Sequence, residues 1–66
     1  MIKKLLARYE VKNRGNAWFV SLWEGEDEQA MRFVRNVAVY VGPNAQGRAR
    51  RKARLRNERE QENRRG

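Results

Sequence analysis

The chain contains neither cysteine nor histidine among its 66 residues. Their absence excludes disulfide bonds, thiolate nucleophiles, imidazole bases and the zinc sites that depend on these side chains. The acidic residues do not have the spacing of a calcium-binding loop, and no glycine-rich phosphate-binding motif is present. We therefore expect no enzymatic activity, no cofactor and no metal site.

Long apolar runs are also missing from the sequence. No stretch approaches the roughly 20 apolar residues of a transmembrane helix, and the basic C-terminal segment lacks the bulky apolar face of an interfacial helix. The N-terminal residues combine two lysines with a short apolar stretch but have no small-residue cleavage site, so we do not expect a signal peptide. These features predict a cytoplasmic protein with no membrane partner.

The whole chain has a net charge of +8, and most of this positive charge lies in its last third. Residues 1–44 carry seven basic and five acidic side chains, for +2, whereas residues 45–66 carry nine and three, for +6. All six aromatic residues lie in the first segment. This division predicts a small folded domain at 1–44 and a basic arm at 45–66, and the charge indicates a polyanionic partner.

The first segment begins with the pattern of a β-hairpin. Side chains alternate between apolar and polar over residues 2–12, and an aromatic and β-branched run follows at residues 17–24. Between them, Gly15 can adopt the positive φ that a tight turn needs. Because Phe19 and Trp23 lie on one face of the second strand and other apolar residues lie on the opposite one, either the strand is central and covered on both faces or one of its faces is exposed.

Residues 26–36 have the pattern of a short helix. The acids Glu26, Asp27 and Glu28 suit a helix N-terminus, and the apolar residues that follow have i, i+3, i+4 and i+7 spacing. A strand from Val37 to Val41 then completes a ββαβ domain of the α+β class. The alternative is one long third strand, whose apolar alternation Arg35 would interrupt.

A folded portion of about 44 residues is near the lower limit for an independent core. Marginal stability, dimerisation or folding against a partner is therefore expected. One helix covers only one face of three strands, which leaves apolar side chains of the other face for a protein partner or a second copy of the chain. The residues expected at a protein interface are Phe19, Trp23, Glu26, Asp27 and Glu28.

The basic arm follows Gly42-Pro43-Asn44, where proline ends the third strand and Asn44 can cap a helix. Most of its residues favour or tolerate a helix. Its few apolar residues are Ala45, Ala49, Ala53 and Leu55. These offer no obvious packing face, so we expect an arm that is disordered when free and helical when bound. The alternative is a solvated tail that keeps the protein soluble.

Arginine dominates the charge of the arm. Its planar guanidinium suits phosphate groups and guanine edges, and alanine spacers at helical intervals allow the backbone to approach a groove closely. We therefore expect the arm to bind RNA or DNA. The candidate nucleic-acid-binding residues are Arg48, Arg50, Arg51, Lys52, Arg54, Arg56 and Arg59.

The segment Asn44-Ala45-Gln46-Gly47-Arg48, with the basic residues that follow it, resembles the arginine-rich motif of the N-type antitermination proteins of lambdoid phages. The resemblance covers about a third of the chain. It implies a helix that forms on a small RNA hairpin, with Ala45 packed on the RNA and the arginines on its backbone. The sequence departs from the family at Gly47, where Ser or Thr is usual, at Ala49 and Ala53, and in having no later aromatic residue.

These observations predict a small non-enzymatic, phage-encoded regulator of transcription that acts by antitermination or by inhibition of RNA polymerase. Its folded part would dock on the host transcription machinery, in the host cytoplasm, while its arm holds nucleic acid. Two other classes stay open. A structural component of a ribonucleoprotein or nucleoid would bind without regard to sequence, and a dimeric DNA-binding repressor would form a stable dimer.

Overall fold

A computed structural model describes residues 5–65 as a three-stranded antiparallel sheet followed by one helix. The strands are β1 (Leu6–Arg14), β2 (Ala17–Gly25) and β3 (Arg32–Val41), and the helix α1 spans Ala45–Arg65. The strand order is β1-β2-β3, so each strand pairs with its neighbour in sequence. The predicted α+β class is confirmed. The predicted start of the first strand, at residues 2–4, lies outside the described residues.

The hairpin of β1 and β2 is confirmed. Arg14 pairs with Ala17, so Gly15 and Asn16 form a two-residue turn. Gly15 has a φ of 60° and Asn16 does not have a positive φ, which is the arrangement of a type II′ hairpin turn. The side chain of Asn13 supports the turn, because its amide nitrogen donates to the carbonyls of Gly15 and Ala17, each at 3.3 Å.

The predicted helix over residues 26–36 is wrong, because the structure contains the alternative, a long third strand. The predicted ββαβ order is wrong for the same reason. Asp27 instead closes a tight turn between β2 and β3. Its carboxylate accepts a hydrogen bond from the Gln29 amide at 2.9 Å, and its carbonyl accepts one from the Ala30 amide at 3.1 Å. Asp and Asn side chains commonly form such turns. The acids therefore lie in a loop and do not cap a helix.

Irregular pairing between β2 and β3 explains why this strand has a helical pattern. The register shifts between Val20 and Ser21 and again between Leu22 and Trp23. Val20 pairs with Ala38 and Ser21 with Asn36, which leaves Val37 as an extra residue whose side chain packs against the core. A β-bulge of this kind interrupts period-two alternation. The apolar side chains of β3 consequently recur at three- and four-residue intervals, as they would in a helix.

The third strand ends before Gly42-Pro43-Asn44, as predicted, and α1 begins directly after these residues. Gly42 adopts a φ of 110°, and its carbonyl accepts a hydrogen bond from the Ala45 amide at 3.1 Å. The Asn44 carbonyl accepts the first helical bond, from the Arg48 amide at 3.0 Å, which places Asn44 at the N-cap position. No helix within residues 5–65 is long and apolar enough to cross a membrane.

The core lies between α1 and one face of the sheet. Ala45, Ala49 and Ala53, four residues apart along one side of the helix, are 2%, 0% and 6% exposed, and Val20 of the central strand is 0% exposed. The partly buried residues around them are Tyr9, Val11, Trp18, Val37, Ala38 and Tyr40. The expectation that the arm has no packing face is therefore wrong, because the sheet supplies the larger side chains and small alanines let the helix lie close.

Asn57, one more turn along the same side of the helix, fixes α1 to β1. The backbone amide of Tyr9 donates to Asn57 Oδ1 at 2.8 Å, and Asn57 Nδ2 donates to the Tyr9 carbonyl at 3.0 Å. Residues 5–44 and α1 thus share a single core and are joined by two hydrogen bonds. This packing is a structural reason for the helix to form, and the disorder expected of the free arm stays a prediction.

Candidate nucleic-acid interface

The basic side chains of α1 surround the side of the helix that faces away from the sheet. With 3.6 residues per turn, burying Ala45, Ala49 and Ala53 directs positions 47, 51 and 54 outward. Arg50, Arg51 and Arg54 line one surface depression together with Gly47. Of the predicted binding residues, the exposed ones are Arg48, Arg50, Arg51, Arg54 and Arg59, and the half-buried ones are Lys52 and Arg56.

Two of these arginines also contact the sheet. The guanidinium of Arg48 lies 5.1 Å from the centre of the Tyr40 ring on β3, and that of Arg56 lies 5.8 Å from the centre of the Tyr9 ring on β1. A cation over an aromatic ring contributes about 0.5–1 kcal/mol at an exposed site. This structural role is not evident in the sequence, where the aromatic residues near both ends of the sheet segment are its only signal.

The charges in the first turns of α1 have the sign that a helix N-terminus disfavours. The first turn holds no acid, and every acidic residue of the helix lies at position 58 or later. Because the helix N-terminus carries partial positive charge, cations there are unfavourable. The like-charged pair Arg50 and Arg54, four residues apart, adds repulsion. An anion bound to the first three turns would relieve both effects.

The arginines in the first three turns of α1 form no ion pair in the described part of the chain. Within residues 5–65, an ion pair joins Arg8 and Glu10 of β1 at 3.3 Å, and no ion pair involves a basic side chain of α1. A cluster of uncompensated cations on one surface attracts phosphate groups and raises the rate of association with polyanions. The exposed side of α1 therefore has the electrostatic character of a nucleic-acid interface.

The alanines of α1 are not available to RNA in this conformation. The resemblance to N-type proteins implies that Ala45 packs on RNA, whereas in this chain Ala45 is only 2% exposed. Ala49 and Ala53, which depart from that family, are buried in the same row. The helix presents to a ligand its arginines and the exposed Leu55, and not its alanines.

The sheet face that points away from α1 has no covering element in the described chain, and we call it the open face. It carries Phe19, Ser21, Trp23, Phe33 and Asn36. The Trp23 and Phe33 rings meet edge to face, with centroids 5.8 Å apart and planes at 75°. The predicted interface residues Phe19 and Trp23 are therefore on one surface, but they are joined by Phe33, which the sequence pattern placed on a helix.

The three acids predicted at a protein interface are exposed in the β2–β3 loop. Glu26, Asp27 and Glu28 follow the end of β2 that carries Trp23, so the structure places the loop and this aromatic residue at the same end of the sheet. Within residues 5–65, no group of three acidic side chains is arranged to hold a metal ion.

No protein-family model matches the sequence, and comparisons with curated proteins and with solved structures found no match. Function is therefore inferred from the residues themselves.

Proposed function

We propose that this chain is a small, non-enzymatic regulatory protein that binds RNA or DNA through the exposed side of α1. The observation that carries the proposal is the set of five exposed arginines on a helix whose opposite side is fixed to a sheet. Guanidinium groups bind phosphate through two parallel hydrogen bonds, and a helix held in place does not have to be ordered at the moment of binding.

The size of the helix suits contact with several phosphates. Its 21 residues extend about 31 Å at 1.5 Å per residue. The major groove of B-form DNA, about 12 Å wide, admits a helix, whereas the deep and narrow major groove of A-form RNA does not. On RNA, the arginines of α1 would therefore contact the backbone or a groove opened by a bulge or loop. Both nucleic acids belong in the test.

Transcription is the setting that we propose for this binding, by antitermination or by inhibition of host RNA polymerase. This part of the proposal is supported by the resemblance of residues 44–54 to the arginine-rich motif of N-type proteins. A polymerase or associated protein would meet the exposed acids Glu26, Asp27 and Glu28.

The test compares two double variants with the same change in charge. Arg51→Gln with Arg54→Gln removes two outward cations of α1, whereas Arg32→Gln with Arg35→Gln removes two exposed cations of β3. Fluorescence anisotropy would measure the affinity of each protein for a labelled RNA hairpin and a DNA duplex over a range of salt concentrations. Circular dichroism would verify that both variants keep the fold.

For the unmodified chain we expect a log-log salt dependence on duplex DNA with a slope of about −4 to −5, because about five phosphates would be neutralised. The helix variant should reduce the steepness by about 1.8, and the strand variant should leave it nearly unchanged. Equal losses in the two variants would mean that net charge alone attracts the nucleic acid. In that case α1 is not the interface, and the proposal is wrong.

A further inference from the structure

We propose that the open face is a second nucleic-acid site, which binds a short single strand by stacking bases on its aromatic rings. The face forms a groove of about 610 Å³. Residues of β2 and β3 form the floor of the groove, and residues of β1 form one of its sides. This volume is in the range of ordinary ligand sites. The inference extends the proposed function but uses residues on the opposite side of the sheet from α1.

The aromatic residues of the groove are large and accessible. Phe33 is 52% exposed, which is unusual for a phenylalanine in a domain with so small a core, and Trp23 and Phe19 are half-buried. Along β2, Phe19 and Trp23 are four residues apart, or about 13 Å. Aromatic side chains on the surface of an antiparallel sheet bind single-stranded bases in this way, because every base has a flat face that can stack.

Two polar groups lie on the floor between the rings. Ser21 Oγ donates a hydrogen bond to Asn36 Oδ1 at 2.8 Å, which fixes the orientation of the Asn36 side chain. Asn36 is exposed and lines the groove, so its amide NH₂ is accessible from the groove. An amide donor held between aromatic rings can bond to a carbonyl or ring nitrogen of a stacked base.

Basic side chains of β1 stand beside the aromatic residues. Lys12 lies directly opposite Phe19 in the β1–β2 pairing, and Arg14 lines the same groove. The acid of this row, Glu10, is already paired with Arg8 at 3.3 Å. Within the described residues neither Lys12 nor Arg14 forms an ion pair, so both cations can hold the phosphates of a strand whose bases lie on the floor.

This charge distribution favours a nucleic acid over a second copy of the chain. In a face-to-face dimer, each copy would bring Lys12 and Arg14 towards a surface whose acid, Glu10, is engaged with Arg8. Burying unpaired cations between two sheets is unfavourable, and two chains of net charge +8 also repel each other. A single strand brings negative charge and unstacked bases together, and a duplex would keep its bases hidden from the rings.

The experiment uses the full chain and labelled oligouridine and oligothymidine of about ten nucleotides, a length within the range bound by small single-strand sites. Phe33→Ala removes an exposed ring, and the matched control is Val34→Ala, the adjacent residue of β3, which is 43% exposed and does not line the groove. A second variant, Lys12→Gln with Arg14→Gln, removes the two cations of the groove.

We expect Phe33→Ala to weaken single-strand binding roughly five-fold or more without a change in the salt slope, because stacking is not electrostatic. Val34→Ala should bind as the unmodified chain does. Lys12→Gln with Arg14→Gln should make the slope shallower by about 1.4, since each phosphate contact on a single strand contributes about 0.7.

Equal affinities for the unmodified chain, Phe33→Ala and Val34→Ala would overturn the inference and leave the open face as a surface for a protein. It would also be overturned if sedimentation revealed a dimer that Phe33→Ala dissociates while oligonucleotide affinity stays the same. The variant Arg51→Gln with Arg54→Gln separates the two proposals. If that variant binds hairpins as the unmodified chain does, the proposed binding by α1 is wrong. Only the result for Phe33→Ala decides whether the groove binds single strands.

Discussion

The two faces of the sheet differ in whether another element covers them. The covered face buries Val20 completely beneath a row of alanines from α1, whereas on the open face Phe33 is 52% and Val39 is 54% exposed. On the covered face, the small alanines of α1 let the helix lie close to the larger side chains of the sheet, whereas the open face leaves large side chains in water. This difference indicates that the covered face maintains the fold and that the open face is available for binding.

The largest effect should follow from placing a charge under the helix. Ala49→Glu puts a carboxylate at a position that is 0% exposed. An unpaired buried charge costs several kcal/mol, which is about as much as the core of so small a domain supplies. We expect loss of both the helical circular dichroism signal and the cooperative thermal transition.

The control for this change is Gln46→Glu, an exposed position in the first turn of the same helix, where an acid interacts favourably with the helix dipole. It should keep the melting temperature or raise it slightly. If Ala49→Glu retained a cooperative transition of the sheet, α1 would be an independent arm and the two faces would not differ in the way described.

A smaller effect should distinguish the two faces with the same substitution. Val20→Ala removes two methyl groups from a site with no exposure, and we expect a loss of about 2–3 kcal/mol in the free energy of unfolding. Val39→Ala, on the neighbouring strand opposite Phe19, should change it by less than about 0.5 kcal/mol because its side chain is already in water. Urea denaturation followed by tryptophan fluorescence would measure both, and comparable losses would mean that the open face is buried in solution.

The smallest effect concerns glycine and has opposite signs at two positions. Gly47 lies in α1 with nothing within 4 Å of the position of an added Cβ, so Gly47→Ala should stabilise the chain by about 0.5–1 kcal/mol. Gly15 has a φ of 60°, and the same change there should destabilise by about 1 kcal/mol. Stabilisation at Gly15 or destabilisation at Gly47, measured by thermal melts, would contradict the assigned backbone conformations.

Much of the sheet could be predicted from local patterns. The β1–β2 hairpin has regular pairing, so alternation, the turn glycine and the division of β2 into two faces all appear in the sequence. The third strand could not be predicted in the same way, because its irregular pairing with β2 moves Val37 onto the covered face and hides the period of two. Asp27 was mistaken for a helix residue, since acids stabilise turns and helix N-termini through similar hydrogen bonds.

The candidate site was predictable in its residues but not in its presentation. The arginines of residues 48–59 are evident from composition, and five of them are exposed as a binding surface requires. The alanine row was visible at four-residue spacing, but alanine contributes little burial by itself, so its packing depended on Val20 and the tyrosines of distant strands. Phe33 was missed as a member of the open face because its neighbours in sequence suggested a helix.

The two hydrogen bonds between Asn57 and Tyr9 have a consequence for aggregation. β1 is an edge strand, and unpaired backbone groups along an edge are templates on which another chain can add a strand. Both backbone groups of Tyr9 are occupied by the side chain of Asn57, at 2.8 and 3.0 Å, and the last third of the chain thereby shields the middle of its first strand. A helix that stays attached would block the addition of another strand at the middle of β1, whereas a chain released from its helix would expose this edge to intermolecular β-pairing.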